Sequence, residues 1–100
     1  MHLILYSKPG CHLCEGLQEK LEQIQVPTIE LEIRDITSRD DWFQAYQYEI
    51  PVLIWQRPVD AADHKKIGQA EMISIPRPSP RASVQQLSRQ LVQLYEQYVG

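Results

Sequence analysis

The chain has no basic excess, no long apolar run and almost no cysteine. Ten Lys and Arg stand against thirteen Asp and Glu, giving a net charge of −3 and a pI near 5.5. That balance argues against a nucleic-acid binder, whose footprint would be a basic face. No stretch approaches the roughly 18 apolar residues that a membrane-spanning helix needs. Met1 and His2 lead straight into an apolar strand without a charged segment or cleavage site, so the expectation is a cytoplasmic protein. Asparagine is absent while glutamine is abundant, and the glutamines read as solvated helix faces without a function. Neither an internal repeat nor a domain boundary is visible. One hundred residues, 43% of them hydrophobic, read as one domain, 1–100, with a modest core.

The two cysteines, Cys11 and Cys14, are three apart. They follow the apolar run Leu3 to Tyr6 and the turn Ser7 to Gly10, and they open a segment of helical periodicity. A helix N-terminus offers unpaired N–H groups and partial positive charge, which favour the thiolate of a leading cysteine. A thiolate is the nucleophile of disulfide exchange, and a thiol one turn further on can resolve the adduct. A cytoplasmic structural disulfide would be unusual, so the pair reads as catalytic, redox-sensing or metal-binding. Structural zinc takes four ligands, and the chain has no second Cys-x-x-Cys and no His-x₃-His; His2, His12 and His64 are scattered. Redox is the preferred reading. The alternative is a binding or adaptor module whose pair holds metal, or an iron–sulfur cluster bridged between two chains.

Along the chain, His2 to Tyr6 reads as a buried strand. Leu13, Leu17, Leu21 and Ile24 space out a helix from about Cys11 to Gln25, ended by Pro27. Residues Thr28 to Ile36 alternate as a strand, with Ile29, Leu31 and Ile33 on one side and Glu30, Glu32 and Arg34 on a wet one. Thr37 and Ser38 read as the N-cap of a short helix to about Gln47 that buries Trp42, Phe43 and Tyr46. Pro51 introduces the apolar strand Val52 to Trp55. Residues Gln56 to Gln69 read as a polar, irregular connector, and Glu71 to Ile75 as a last strand. Pro76, Pro78 and Pro80 form a stiff link, since they fit neither a central strand nor a helix interior. The final helix starts either at Ser79 and Pro80 or at Ser83, whose Gln86 completes a capping box. Its stripe is Val84, Leu87, Leu91, Leu94 and Tyr98.

This β-α-β-α-β-β-α order, with Cys-x-x-Cys after the first strand and proline opening the third, resembles the thioredoxin fold. Tyr6 to Cys14 is similar to the opening motif of the glutaredoxin-like family, and Ile50 to Leu53 to its proline-strand motif. The resemblance implies an α/β architecture, a four-stranded mixed sheet in order 2-1-3-4 flanked by three helices. The third strand would run antiparallel to the first, and the outer helices would share one face. It also implies a cis peptide before Pro51. The implied activity is thiol–disulfide oxidoreduction, with Cys11 attacking and Cys14 resolving. Lys8 matches a lysine that contacts a carboxylate of glutathione, Ile50 a residue whose backbone pairs with the substrate, and Pro51 the proline facing the dithiol. The partners expected are a disulfide-containing protein or small molecule and an external thiol or protein reductant. No cofactor would be tightly bound, glutathione would be at most a weak co-substrate, and the chain would act as a monomer.

Three departures from the pattern stand out. Glutaredoxins usually carry Pro-Tyr between the cysteines where this chain has His12 and Leu13. They carry a Gly-Gly pair and an Asp before the last helix, where it has Pro76 to Pro80. The connector from 56 to 69 also exceeds their tight hairpin. His12, if protonated, would favour the thiolate and make the disulfide more oxidising; otherwise it is a solvent-facing first-turn residue. Lys8 is likewise either an anion contact or an exposed turn lysine, and His64, Lys65 and Lys66 read as a solvated loop.

Overall fold

In a computed structural model, which describes residues 1–58 and 70–99, a four-stranded sheet carries three helices. The elements are β1 (His2–Ser7), α1 (His12–Gln23), β2 (Glu30–Asp35), α2 (Asp40–Tyr46), β3 (Val52–Pro58), β4 (Ala70–Ile75) and α3 (Val84–Val99). The sheet order is β2-β1-β3-β4. β1 lies parallel to β2 and antiparallel to β3, and β3 is antiparallel to β4. This is the thioredoxin-like arrangement expected. Residues 59–69, which hold most of the polar connector and His64, lie outside the described residues. Among the described residues no helix is long and apolar enough to cross a membrane.

Strand alternation divides the core. Leu3, Leu5, Leu53, Trp55, Ile73 and Ile75 face one side, where Leu17 and Leu21 of α1 and Leu87 and Leu91 of α3 close over them. Ile4 and Tyr6 face the other side in a cluster with Ile36, and among the described residues α2 is the one helix packed there. A seven-residue helix covers little: α2 has no buried residue, and Trp42, Phe43 and Tyr46 are half-buried, not buried as expected. Met72 on the same face of β4 stays half exposed.

The expected wet face of β2 is also partly covered. Register places Glu32 opposite Ile4 and Arg34 opposite Tyr6, on the α2 side. Arg34 bonds Glu32 and donates to the Tyr6 hydroxyl at 2.9 Å, and its guanidinium stands 5.4 Å from the Trp42 ring centre. Hydrogen bonding to that guanidinium, against burial, holds the Glu32 carboxyl below its usual range. Ile33, near the open end of edge strand β2, is exposed instead of buried.

Several boundaries move for local reasons. α1 stops at Gln23 because Ile24 turns extended and drops into the core, while the Val26–Pro27 peptide is cis. Thr37 and Ser38 do not cap α2. Asp35 accepts from the Thr37 N–H at 2.8 Å and its hydroxyl at 2.6 Å, winding Ile36–Ser38 into a separate 3-10 turn. Those bonds hold the Asp35 carboxyl below its usual range, and the N-cap of α2 falls to Arg39. β3 runs three residues beyond Trp55, pairing Gln56, Arg57 and Pro58 with β4. Pro58 is tolerated because β1 ends opposite Gln56, so its missing N–H faces no neighbour strand. At α3 the capping box is the one formed: Ser83 Oγ accepts from Gln86 N at 3.1 Å and Gln86 Oε1 from Ser83 N at 2.9 Å. Ser79 instead anchors a turn, its carbonyl accepting from Ala82 N.

Candidate functional site

A tight turn delivers the first cysteine to its helix. Pro9 and Gly10 occupy the central positions, Gly10 at φ +83°, and the Cys11 N–H donates to the Lys8 carbonyl at 3.2 Å. Proline followed by a residue at positive φ is the signature of a type II turn. A β-carbon on Gly10 would meet nothing within 4 Å, so only the backbone conformation demands glycine. Gly10→Ala is therefore expected to destabilise the protein by about 1–2 kcal/mol, the cost of a left-handed L-residue. Thermal and urea unfolding check it, and an unchanged stability would contradict this account of the turn.

Beyond the turn, Cys11 is the N-cap of α1, in extended conformation. Its carbonyl accepts the Glu15 N–H at 3.0 Å and its sulfur accepts the Cys14 N–H at 3.3 Å. After reduction, a thiolate at the same place would accept that bond with charge assistance, beside the positive end of the helix. The two cysteines form a disulfide with Cα atoms 5.3 Å apart. Their environments differ: Cys14 is 2% exposed, whereas Cys11 is only half-buried. The first cysteine is partly exposed and the second is buried.

His12 projects into solvent with its side chain 94% exposed, 3.5 Å from the Glu15 carboxylate. A carboxylate so close offsets the charge His12 would otherwise lend the dithiol. Lys8 is exposed and lines a shallow cavity of about 260 Å³ with Cys14, Glu15 and Asp35. Pro51 is buried at the start of β3, after a cis Ile50–Pro51 peptide. It lines a second cavity of about 200 Å³, shared with His12 and Leu13 from between the cysteines. The structure thus sets Lys8 and Pro51 on different cavities around the dithiol. The Ile50 N–H donates to the Tyr46 carbonyl at 3.1 Å, so it is already engaged within the chain. Among the described residues, no group of three His, Cys, Asp or Glu side chains is placed to hold a metal ion.

The sequence reading passed over Gly16, Lys20 and Arg77, which also line the Pro51 cavity. Lys20 Nζ donates to the Pro80 carbonyl at 2.7 Å, and Arg77 donates to the Glu49 carbonyl, so two cations fasten the proline link. Proline supplies no N–H, leaving only carbonyls to satisfy. The available signals were a glycine inside a helix and a lone cation between prolines.

Two solved structures share the fold. A Northeast Structural Genomics target protein from X. campestris is 23% identical, with a TM-score of 0.54, over 91% of this chain and 96% of its own. Thioredoxin 1 from the thermophilic eubacterium Thermosipho africanus is 16% identical, with a TM-score of 0.58, over 100% of both chains. No match was found among curated proteins. The sequence profile described as Glutaredoxin-like domain matches residues 2–92. That span runs from the first residue of β1 into α3 and takes in the dithiol turn, Pro51 and the proline link. With nine-tenths of its length matched and the fold and cysteine pair in place, the chain belongs to the glutaredoxin-like domain family.

Proposed function

We infer that the protein is a thiol–disulfide oxidoreductase that works through a dithiol. The observation that carries this reading is the asymmetry of the pair: Cys11 half-buried at the N-cap with an N–H on its sulfur, and Cys14 buried one turn on. In the reduced protein the Cys11 thiolate attacks one sulfur of a substrate disulfide. The substrate S–S bond breaks, a mixed disulfide forms, and the departing thiolate takes a proton from water. Cys14, deprotonated, then attacks the Cys11 sulfur, closing the internal disulfide and releasing the second substrate thiol. Two electrons pass from the dithiol to the substrate, and an external thiol reductant returns them.

Pro51 walls the site, and Ile50 contributes its carbonyl to an incoming chain, its N–H being held by Tyr46. Lys8 steers anionic groups toward the face of Cys14. This chemistry needs no bound cofactor, and it suits a monomer in the cytoplasm, where an external reductant is at hand. An insulin-reduction assay tests the reading. With dithiothreitol as donor, the wild-type protein should precipitate the insulin B chain well ahead of the uncatalysed control. A rate equal to that control would overturn it.

A further inference from the structure

The cavity beside Pro51 has more reach than disulfide exchange alone requires. It runs along one face of α1, from His12 and Leu13 to Lys20, closed on the other side by the proline link. Eight helical rises of roughly 1.5 Å each make a groove about 12 Å long. Leu17 and Leu87 lie buried beneath it, while Leu13 is half exposed beside the dithiol. Gly16 lines it with open space beyond: a β-carbon there would meet nothing within 4 Å and would point at no neighbour. An alanine would serve the helix better, since glycine destabilises a helix interior.

The charge of the groove has one sign. Lys20 and Arg77 stand on it, no acidic side chain of the described residues lines it, and both cations bond to neutral carbonyls. Each keeps further donors free of those carbonyls, since an ammonium has three and a guanidinium five. Apolar walls that begin at the two residues between the cysteines, with cations beyond them, complement one kind of ligand.

We propose that this groove selects the substrate, seating a large apolar side chain of an extended polypeptide disulfide while an acidic residue further along meets Lys20 and Arg77. The proposal rests on the oxidoreductase reading above and names its substrate class. A cavity of about 150 Å³ lined by apolar groups holds a benzene ring, so about 200 Å³ takes a leucine or phenylalanine side chain. An extended strand advances about 3.3 Å per residue, so the groove spans three or four residues beyond the substrate cysteine. Glutathione, with one residue on either side of its cysteine, is too short to fill it.

Two synthetic peptides of equal length test this, each carried as a mixed disulfide on a small thiol and reset by dithiothreitol. In one, leucine and then glutamate flank the cysteine on both sides; in the other, serine and glutamine replace them. The wild type should favour the first by about tenfold or more in kcat/KM, the discrimination an apolar pocket supplies. Gly16→Met, which fills the groove, should bring the ratio to about one. Glu22→Met, on another face of α1, should keep the ratio and control for the added side chain. A ratio near one in the wild type, or a ratio that survives Gly16→Met in protein shown to be folded by its melting curve, would overturn the groove. Failure of the wild type to reduce hydroxyethyl disulfide would instead bring down the oxidoreductase reading, and this proposal with it.

Discussion

Cys11→Ser is expected to bring turnover down to the uncatalysed background, while Cys14→Ser is expected to accumulate mixed disulfides with substrate. The roles follow from placement. Cys11 sits at the N-cap, where its sulfur accepts the Cys14 N–H and feels the positive end of α1. Its thiol should therefore ionise below the ordinary range of a free cysteine. Each unit of that shift raises the thiolate fraction about tenfold below the pKa, and lost nucleophilicity returns about half of that gain on a logarithmic scale. Access adds to it, because Cys14 is 2% exposed and an alkylating agent must first displace its cover. In the reduced protein at neutral pH, Cys11 should react with iodoacetamide on the order of tenfold faster than Cys14. Mass spectrometry of the peptides reads the order directly, and faster labelling of Cys14 would reverse the assignment.

Glutathione should be a poor electron donor, and a protein reductant of the thioredoxin-reductase kind a better one. A glutathione pocket needs N–H donors for the far carboxylate, which the Gly-Gly-Asp turn supplies in glutaredoxins. Here Pro76, Pro78 and Pro80 bring no N–H groups to that place. The neighbouring donors are occupied as well. The N–H groups of Arg81, Ala82, Ser83 and Gln86 already donate to Ser79 Oγ, the Ser79 carbonyl, Gln86 Oε1 and Ser83 Oγ. Lys8 lines a different cavity from Pro51 and the proline link, so the two expected anchors do not share one cavity. Losing one hydrogen bond to a charged group costs about 1.5–3 kcal/mol, or roughly ten- to a hundredfold in affinity. Steady-state rates with each donor at matched potential check this. Efficient, saturable turnover at low glutathione would show that Ser79 or Ser83 replaces the missing turn.

What could be read in advance was whatever depends on near neighbours in the chain. The dithiol, the turn before it and the Ser83–Gln86 capping box are contained within a few residues each, and their chemistry is written in residue type. Strand order entered through the likeness to a family, because no local pattern says which strand lies beside which. Errors arose where a distant or competing contact decides. The end of α1 moved because Ile24 is drawn into the core, and the cap of α2 moved because the Asp35 carboxylate takes the Thr37 N–H first. The length of β3 depended on how far β4 extends beside it. The groove was illegible because α1, the Pro51 turn and the proline link meet only in three dimensions. Gly16 drew no notice in the sequence, and it leaves space along that groove.

The central claim, that Cys11 and Cys14 act as one redox couple on a substrate, is tested most directly by a single turnover. Fully reduced protein is mixed with excess insulin under anaerobic conditions, and thiols are alkylated and counted on both proteins over time. The account predicts two thiols lost per chain for every two gained on insulin, with the Cys11–Cys14 disulfide of the structure as the product. Substrate left oxidised while both cysteines stay reduced would contradict it.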